Sequence, residues 1–233
     1  MSNPLALIRR VHRFNINHLV YPLVLSSLLA LALFVGRVYL SRAQTYRFLV
    51  WNLFLAWIPY LGALLIVLIR ARQPRHWWLL VVPGALWLLF LPNAPYLVTD
   101  LWHLDERLPV PMWYDIGMLA TFAWTGVFLG VASLSAVQDV IAQILGRALS
   151  WLFALGMIGL SGFGIYLGRF LNWNSWDLFF EPQMLALDIA TRLAHPLRYS
   201  QMYGVTMLFA AFMLICYVMF KSMEHRQTEP VNR

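Results

Sequence analysis

Six long apolar segments dominate the sequence and determine which folds are open to it. They run from 19 to 40, 48 to 69, 77 to 98, 112 to 137, 149 to 170 and 203 to 220. A hydrocarbon core about 30 Å thick is crossed by roughly 20 apolar residues in a helix. Lipid offers the backbone no hydrogen-bond partner, so each spanning segment must be helical. The sequence predicts an all-α polytopic transmembrane bundle, with six spanning helices, short interfacial helices and a single membrane domain over residues 1–233.

Composition excludes a water-soluble domain. Of the 233 residues, 61% are hydrophobic and 12% are charged, which is about half the charged share of a soluble domain. The net charge is +7, yet the arginines cluster beside apolar segments, at 9, 10 and 13, at 37, 42 and 47, and at 70, 72 and 75. That placement favours headgroup anchoring over a groove for nucleic acid. We therefore expect membrane lipids as partners and no nucleic acid.

The distribution of basic residues predicts the orientation of the bundle. Ten Lys and Arg fall on the side of the N-terminus: Arg9, Arg10, Arg13, Arg70, Arg72, Arg75, Arg147, Lys221, Arg226 and Arg233. Seven fall on the other side: Arg37, Arg42, Arg47, Arg107, Arg169, Arg192 and Arg198. Because cytoplasmic loops carry the excess of positive charge, we expect both termini in the cytoplasm and the protein in the cell membrane.

Two polar segments interrupt the apolar pattern, and both fall on the predicted outer side. In residues 91–104, Pro92 and Pro95 break the helix, and Asn93 is expected to cap a new one. On this new helix one face would carry Tyr96, Asp100, His103 and Arg107. In residues 168–177, Trp173 and Trp176 are typical of a membrane–water boundary. Pro182 is expected to open an interfacial helix on which Asp188 and Arg192 pair.

These segments predict an outward-facing polar and aromatic pocket. Seven of the ten acidic residues lie on the predicted outer side, where they would meet the polar residues of both segments. The predicted lining is Asn93, Tyr96, Asp100, His103, Asp115, Arg169, Asn174 and Asp177. Glycines four apart, at 126 and 130 and at 164 and 168, and three apart, at 156, 159 and 162, predict close helix packing.

Several blocks of sequence resemble the DUF1361 family of uncharacterised bacterial membrane proteins. They are Trp51 to Pro59, Phe90 to Tyr96, Thr99 to Leu104 without Trp102, Trp113 to Asp115, and Gly168 to Asp177 without Asn172, where the family is expected to carry a basic residue. The resemblance covers roughly residues 47–220. It implies a multi-pass protein of a bacterial inner membrane and supplies no activity.

Four hypotheses for the function remain open. In the first, the pocket binds a ligand or a partner. In the second, it performs acid–base chemistry on a lipid-linked or periplasmic substrate. In the third, the chain transports a small molecule or lipid, and the polar positions inside its spans are Asn52, Gln44, Ser161 and Asp139. In the fourth hypothesis the charged residues on the outer side pair with one another, and the chain assembles with itself or with another membrane protein. Asp100, His103, Asp115 and Asp177 would suit a cation, but no second histidine or cysteine accompanies them. No metal and no cofactor is predicted.

Overall fold

A computed structural model describes residues 18–228, together with residues 12, 15 and 16. Among these residues, six helices are long and apolar enough to cross a membrane, which confirms the predicted fold class. The longest continuous helices are α1 (Val20–Ser41), α2 (Arg47–Arg72), α5 (Met112–Leu145), α6 (Arg147–Leu171) and α9 (Ser200–Thr228). The arginines at 9, 10 and 13, which are predicted to anchor headgroups, lie outside the described residues.

The third span is a broken helix, as the two prolines predict. A 3₁₀ turn (Trp77–Leu80) leads into α3 (Val81–Phe90), followed by α4 (Asn93–Tyr96) and a 3₁₀ helix (Leu97–His103). Pro92 and Pro95 supply no backbone N–H, and the chain closes the break with a bond from the Tyr96 N–H to the Pro92 carbonyl of 3.1 Å. Asn93 is the first residue of α4 and makes no capping bond there, so its predicted capping role is wrong.

Helix α5 is the centre of the bundle. In its most apolar window 67% of the residues are buried, compared with 11% in α9. It contacts α1, α2, α6, α9 and the helical pieces at 93–103. Its buried polar side chains are bonded to neighbouring helices: Thr125 to Ser26 at 2.6 Å and Ser133 to the Trp87 indole at 2.7 Å. Such bonds between helices satisfy polar groups that lipid cannot.

The described part of the chain has two distinct ends. The distal end consists of the connections at residues 42–46, 104–111 and 172–199, and the proximal end of those at 73–76 and 146. Two helices too short to span a membrane, α7 (Asp177–Phe180) and α8 (Pro182–Ala194), lie in the last distal connection. Gln44 is exposed in the first distal connection, so its predicted place inside a span is wrong.

Glycines hold the broken helix against α5 and α6. A Cβ at Gly126 would collide with the Ala94 carbonyl and the Leu97 side chain, and a Cβ at Gly164 would lie 2.5 Å from Pro92 Cγ. These contacts confirm the predicted packing role of the spacings of four. Gly156 and Gly159 face open space, so the predicted packing role fails at these two positions.

Candidate functional site

A groove of about 330 Å³ lies between α2, the broken third span, α6 and the connection that follows α6. Its volume falls at the lower end of the range of ligand-binding pockets, about 300–1,000 Å³. The lining residues are Trp51, Asn52, Leu55, Leu88, Leu89, Pro92, Asn93, Tyr96, Leu160, Phe163, Gly164, Leu167, Gly168, Trp173, Asn174, Ser175, Leu178 and Leu185. Three of the predicted site residues, Asn93, Tyr96 and Asn174, belong to this lining.

The groove changes character along its length. Leu160, about midway along α6, and Leu88, about midway along the third span, form its apolar part. Both leucines are exposed, at 47% and 37%, on helices that are long and apolar enough to cross a membrane. At the distal end the lining adds amide, hydroxyl and indole groups beside Leu178 and Leu185. The groove is therefore apolar at mid-depth, and its polar groups are confined to the distal end.

Residues at the break in the third span tie the wall of the groove together. The Asn93 amide donates to the Phe90 carbonyl at 3.1 Å and to Ser175 Oγ at 2.9 Å. Ser175 Oγ in turn donates to the Leu89 carbonyl at 3.0 Å. Because the helix ends at Phe90, the carbonyls of its last turn have no partners in a continuing helix. The connection after α6 thus satisfies backbone groups that the break exposes.

Behind the groove lies a buried polar cluster around Asp100, which is 1% exposed. Asn52, a lining residue, donates its amide N–H to Asp100 Oδ2 at 2.8 Å. Arg169 Nη1 is 3.6 Å from Asp100 Oδ1. This distance allows attraction but exceeds a normal hydrogen bond. Asp100 Oδ1 is buried and has no hydrogen-bond partner among the described residues.

Arg169 brings together three of the predicted residues. Its Nη2 donates to the Thr99 carbonyl at 2.9 Å and lies 3.1 Å from His103 Nδ1. A guanidinium has no acceptor, so this second contact is a hydrogen bond only where His103 Nδ1 is unprotonated. The guanidinium also lies 6.0 Å from the centre of the Tyr96 ring. Tyr96, Asp100 and His103 therefore share a face, as predicted.

Asp115 lies apart from this cluster, in a second ion pair. Arg37 Nε and Nη2 bind its two carboxylate oxygens at 3.0 and 3.1 Å, with side-chain exposures of 2% and 1%. The expectation that Arg37 anchors headgroups is therefore wrong. Tyr46 stacks under the Arg37 guanidinium at 4.9 Å and bonds the His103 carbonyl at 3.4 Å. Burial raises the pKa of Tyr46, which keeps its hydroxyl protonated.

The remaining predicted residues have local roles. Asp177 Oδ2 accepts from the Asn174 backbone N–H at 2.7 Å and from its amide at 3.2 Å, which closes the turn before α7. Arg107 follows an extended segment and approaches the exposed Asp105 at 4.0 Å. It does not continue the face formed by Tyr96, Asp100 and His103. Asp188 pairs with Arg192 at 2.9 Å, as predicted.

A donor from the groove wall fixes α8. The Trp173 indole N–H donates to Asp188 Oδ2 at 2.9 Å, and this bond lowers the pKa of the Asp188 carboxyl. Leu178 of α7 and Leu185 of α8 line the groove. The short distal helices are thus part of the wall of the site.

Within the described residues, no group of three His, Cys, Asp or Glu side chains is close enough to hold a metal ion. Sequence reasoning missed the link that Asn52 makes between the groove and Asp100, and the pairing of Arg37. Asn52 carried a signal, an amide in an apolar helix. Nothing in the spacing of the sequence connects it to Asp100.

The fold and the groove define a polytopic α-helical membrane protein with a discontinuous third span. The model of the DUF1361 family, described as a protein of unknown function, matches residues 51–216. The chain belongs to this family, as the sequence blocks suggested. No curated protein and no solved structure matches it significantly.

Proposed function

We propose that this protein binds an amphiphilic molecule, a lipid or a lipid-linked compound, in the groove whose wall includes α7 and α8. The observation that carries the proposal is the gradient along the groove, from leucines at mid-depth to amide and indole groups at the distal boundary. An acyl or isoprenoid chain would take the apolar part, and its headgroup the polar part. Pockets that combine an apolar lining with a few placed polar groups are typical ligand sites.

The orientation proposed for this function places the distal end outside a bacterial inner membrane. The excess of Lys and Arg on the proximal side supports it. With both termini in the cytoplasm, the groove would open toward the outer leaflet. Cysteine labelling of single Cys variants at Gln44 and Gln73, in a Cys216→Ser background, tests the topology. We expect a membrane-impermeant reagent added outside the cell to label the cysteine at residue 44 and not the one at residue 73.

Asn52 connects the groove to the buried cluster. Its amide lines the groove and donates to Asp100, whose other oxygen has no hydrogen-bond partner among the described residues. Arg169, 3.6 Å away, attracts this oxygen without forming a normal hydrogen bond. Incompletely bonded buried polar groups are rare in folded proteins, which supports a role for this region beyond folding.

Photo-crosslinking tests the proposed binding. A diacylglycerol with a diazirine in its acyl chain is incorporated into vesicles with the protein, and labelled peptides are mapped. Labels are expected on α3 and α6 around Leu88 and Leu160. Leu160→Trp fills the groove and should reduce this labelling several-fold. Leu155→Trp is the matched control, since Leu155 is 46% exposed on the same helix and does not line the groove. Equal labelling of all lipid-facing residues would contradict the proposal.

Movement of the ligand between leaflets is a second candidate, favoured by the broken third span. Discontinuous helices frequently build binding sites in transporters, and here Pro92 and Asn93 at the break line the groove. Lipid profiling of a deletion strain separates the candidates. An unaltered lipid enriched in one leaflet would assign transport. A chemically altered lipid would assign an enzyme acting on a lipid-linked substrate.

A further inference from the structure

We infer that the headgroup bound in the groove is uncharged and rich in hydroxyl groups, as in a glycolipid. This inference deepens the proposed function and depends on it. Three features of the distal part of the groove support it: the charge of its lining, the hydrogen-bonding capacity of its amides, and its aromatic rings.

The groove presents no charge to a headgroup. Among the described lining residues there is no Asp, Glu, Lys, Arg or His. The adjacent charges of Asp100 and Arg169 compensate each other, and Arg169 donates a further N–H to the Thr99 carbonyl. A phosphate placed here would lose water and gain no cationic partner, which is unfavourable. The lining therefore selects against phospholipids.

Of the amides that line the groove, Asn93 and Asn174 use their N–H groups for two bonds within the protein, and Asn52 uses one. Asn52 donates to Asp100, Asn93 to Phe90 and Ser175, and Asn174 to Asp177 and the Asn172 carbonyl. None of the three amide oxygens accepts a hydrogen bond from another described residue. An amide oxygen accepts from O–H or N–H groups. A ligand that supplies several donors without a charge is a polyol or a sugar.

Aromatic rings complete the match to a sugar. Trp51, Tyr96 and Trp173 line the same part of the groove as the amides. An indole or phenol ring provides a large apolar face at little cost in conformational entropy. The C–H face of a sugar ring can pack on such a surface while its hydroxyl groups reach the amide oxygens.

Competition between lipids with identical acyl chains tests the headgroup. The diazirine-diacylglycerol probe labels the protein in the presence of monoglucosyldiacylglycerol, diacylglycerol, phosphatidylglycerol or phosphatidylethanolamine. The glucosyl lipid is expected to halve labelling of the groove at about tenfold lower concentration than the others, since one well-placed hydrogen bond or one unpaired charge is worth about that factor.

A charge introduced at the groove provides the matched variants. Leu178→Lys places a cation in the lining, whereas Phe179→Lys places one on the next residue, which does not line the groove. Leu178→Lys should shift the preference toward phosphatidylglycerol, and Phe179→Lys should leave it unchanged.

The outcomes separate the two proposals. Equal or stronger competition by phosphatidylglycerol or by diacylglycerol would overturn the headgroup inference and leave binding in the groove intact. Labelling that is insensitive to Leu160→Trp would overturn the proposed function itself. Preferential competition by the glucosyl lipid, together with the shift in Leu178→Lys, supports both.

Discussion

Two buried ion pairs lie near the distal end of the bundle, and they differ in how completely they are bonded. Arg37 and Asp115 form a bidentate ion pair, in which two guanidinium nitrogens lie 3.0 and 3.1 Å from the two carboxylate oxygens, and both side chains are almost fully buried. Asp100 and Arg169 approach to 3.6 Å, and one Asp100 oxygen has no hydrogen-bond partner within the described residues. The first pair joins α1 to α5 away from the groove. The second lies directly behind the groove.

The difference separates a fully bonded pair from one that keeps an unused hydrogen-bond acceptor. A buried ion pair contributes to stability only where its geometry is good and its remaining donors and acceptors are satisfied. Arg37 meets that condition through Asp115, Ser41 and the Tyr46 ring. Asp100 does not meet it. Natural proteins tolerate such incomplete bonding chiefly at functional sites.

The largest expected effect comes from breaking the saturated pair. Arg37→Leu or Asp115→Leu leaves one buried charge without a partner and should lower the free energy of unfolding by about 3–5 kcal/mol. The double variant Arg37→Leu/Asp115→Leu should recover most of that loss, because no lone charge remains. Thermal unfolding of the detergent-solubilised protein measures both. Single variants as stable as the wild type would contradict the structural role of this pair.

The next effect concerns the contact between α5 and the broken third span. Gly126→Ala on α5 would push a methyl group into the Ala94 carbonyl and Leu97, at a cost of about 1–3 kcal/mol for overpacking. Gly117→Ala on the same helix faces open space and should be neutral or stabilising by up to about 1 kcal/mol. Unfolding midpoints of the two variants provide the comparison. Equal midpoints would show that the broken span does not rest on Gly126.

Much of the fold could be predicted because lipid imposes strong rules on sequence. Segment length and apolarity identify the six spans, and the prolines at 92 and 95 identify the break. The shared face of Tyr96, Asp100 and His103 followed from helical spacing, and Arg107 was misplaced because the helix ends at His103. Where the backbone leaves helical geometry, the periodicity of the sequence no longer predicts which side chains share a face.

The partners of the polar residues could not be predicted in the same way. Arg37 and Asp115 are 78 residues apart, and their contact depends on how α1 and α5 are rotated in the bundle. Such rotation is set by packing against neighbouring helices. Concentration of acidic residues at one end correctly indicated a polar region. It did not show that this region contains two separate pairs.

A smaller effect is expected from the looser pair. Asp100→Asn keeps an acceptor for Asn52 and leaves Arg169 bonded to the Thr99 carbonyl, so the stability loss should be about 1 kcal/mol, well below that of Asp115→Asn. Labelling by the lipid probe should show the opposite order, because Asp100 positions a lining residue and Asp115 does not. The comparison fails if Asp115→Asn alters labelling of equally folded protein more than Asp100→Asn does.

The smallest effect concerns the wall of the groove and depends on pH. The bond from the Trp173 indole lowers the pKa of Asp188 below its ordinary value of 3.8. The group therefore contributes stability that is complete above pH 3.8 and is lost as pH falls through the lower pKa of the folded state. Because Asp188 is 39% exposed, solvent screening keeps this contribution small. The protection of α8 amides from hydrogen exchange, corrected for the intrinsic pH dependence of exchange, should fall over that acidic window in the wild type. In Trp173→Phe, which removes the donor, α8 should be less protected above pH 3.8 and its protection should depend less on pH, while Trp176→Phe serves as the control. An unchanged pH profile in Trp173→Phe would mean that this indole does not hold α8 against the groove.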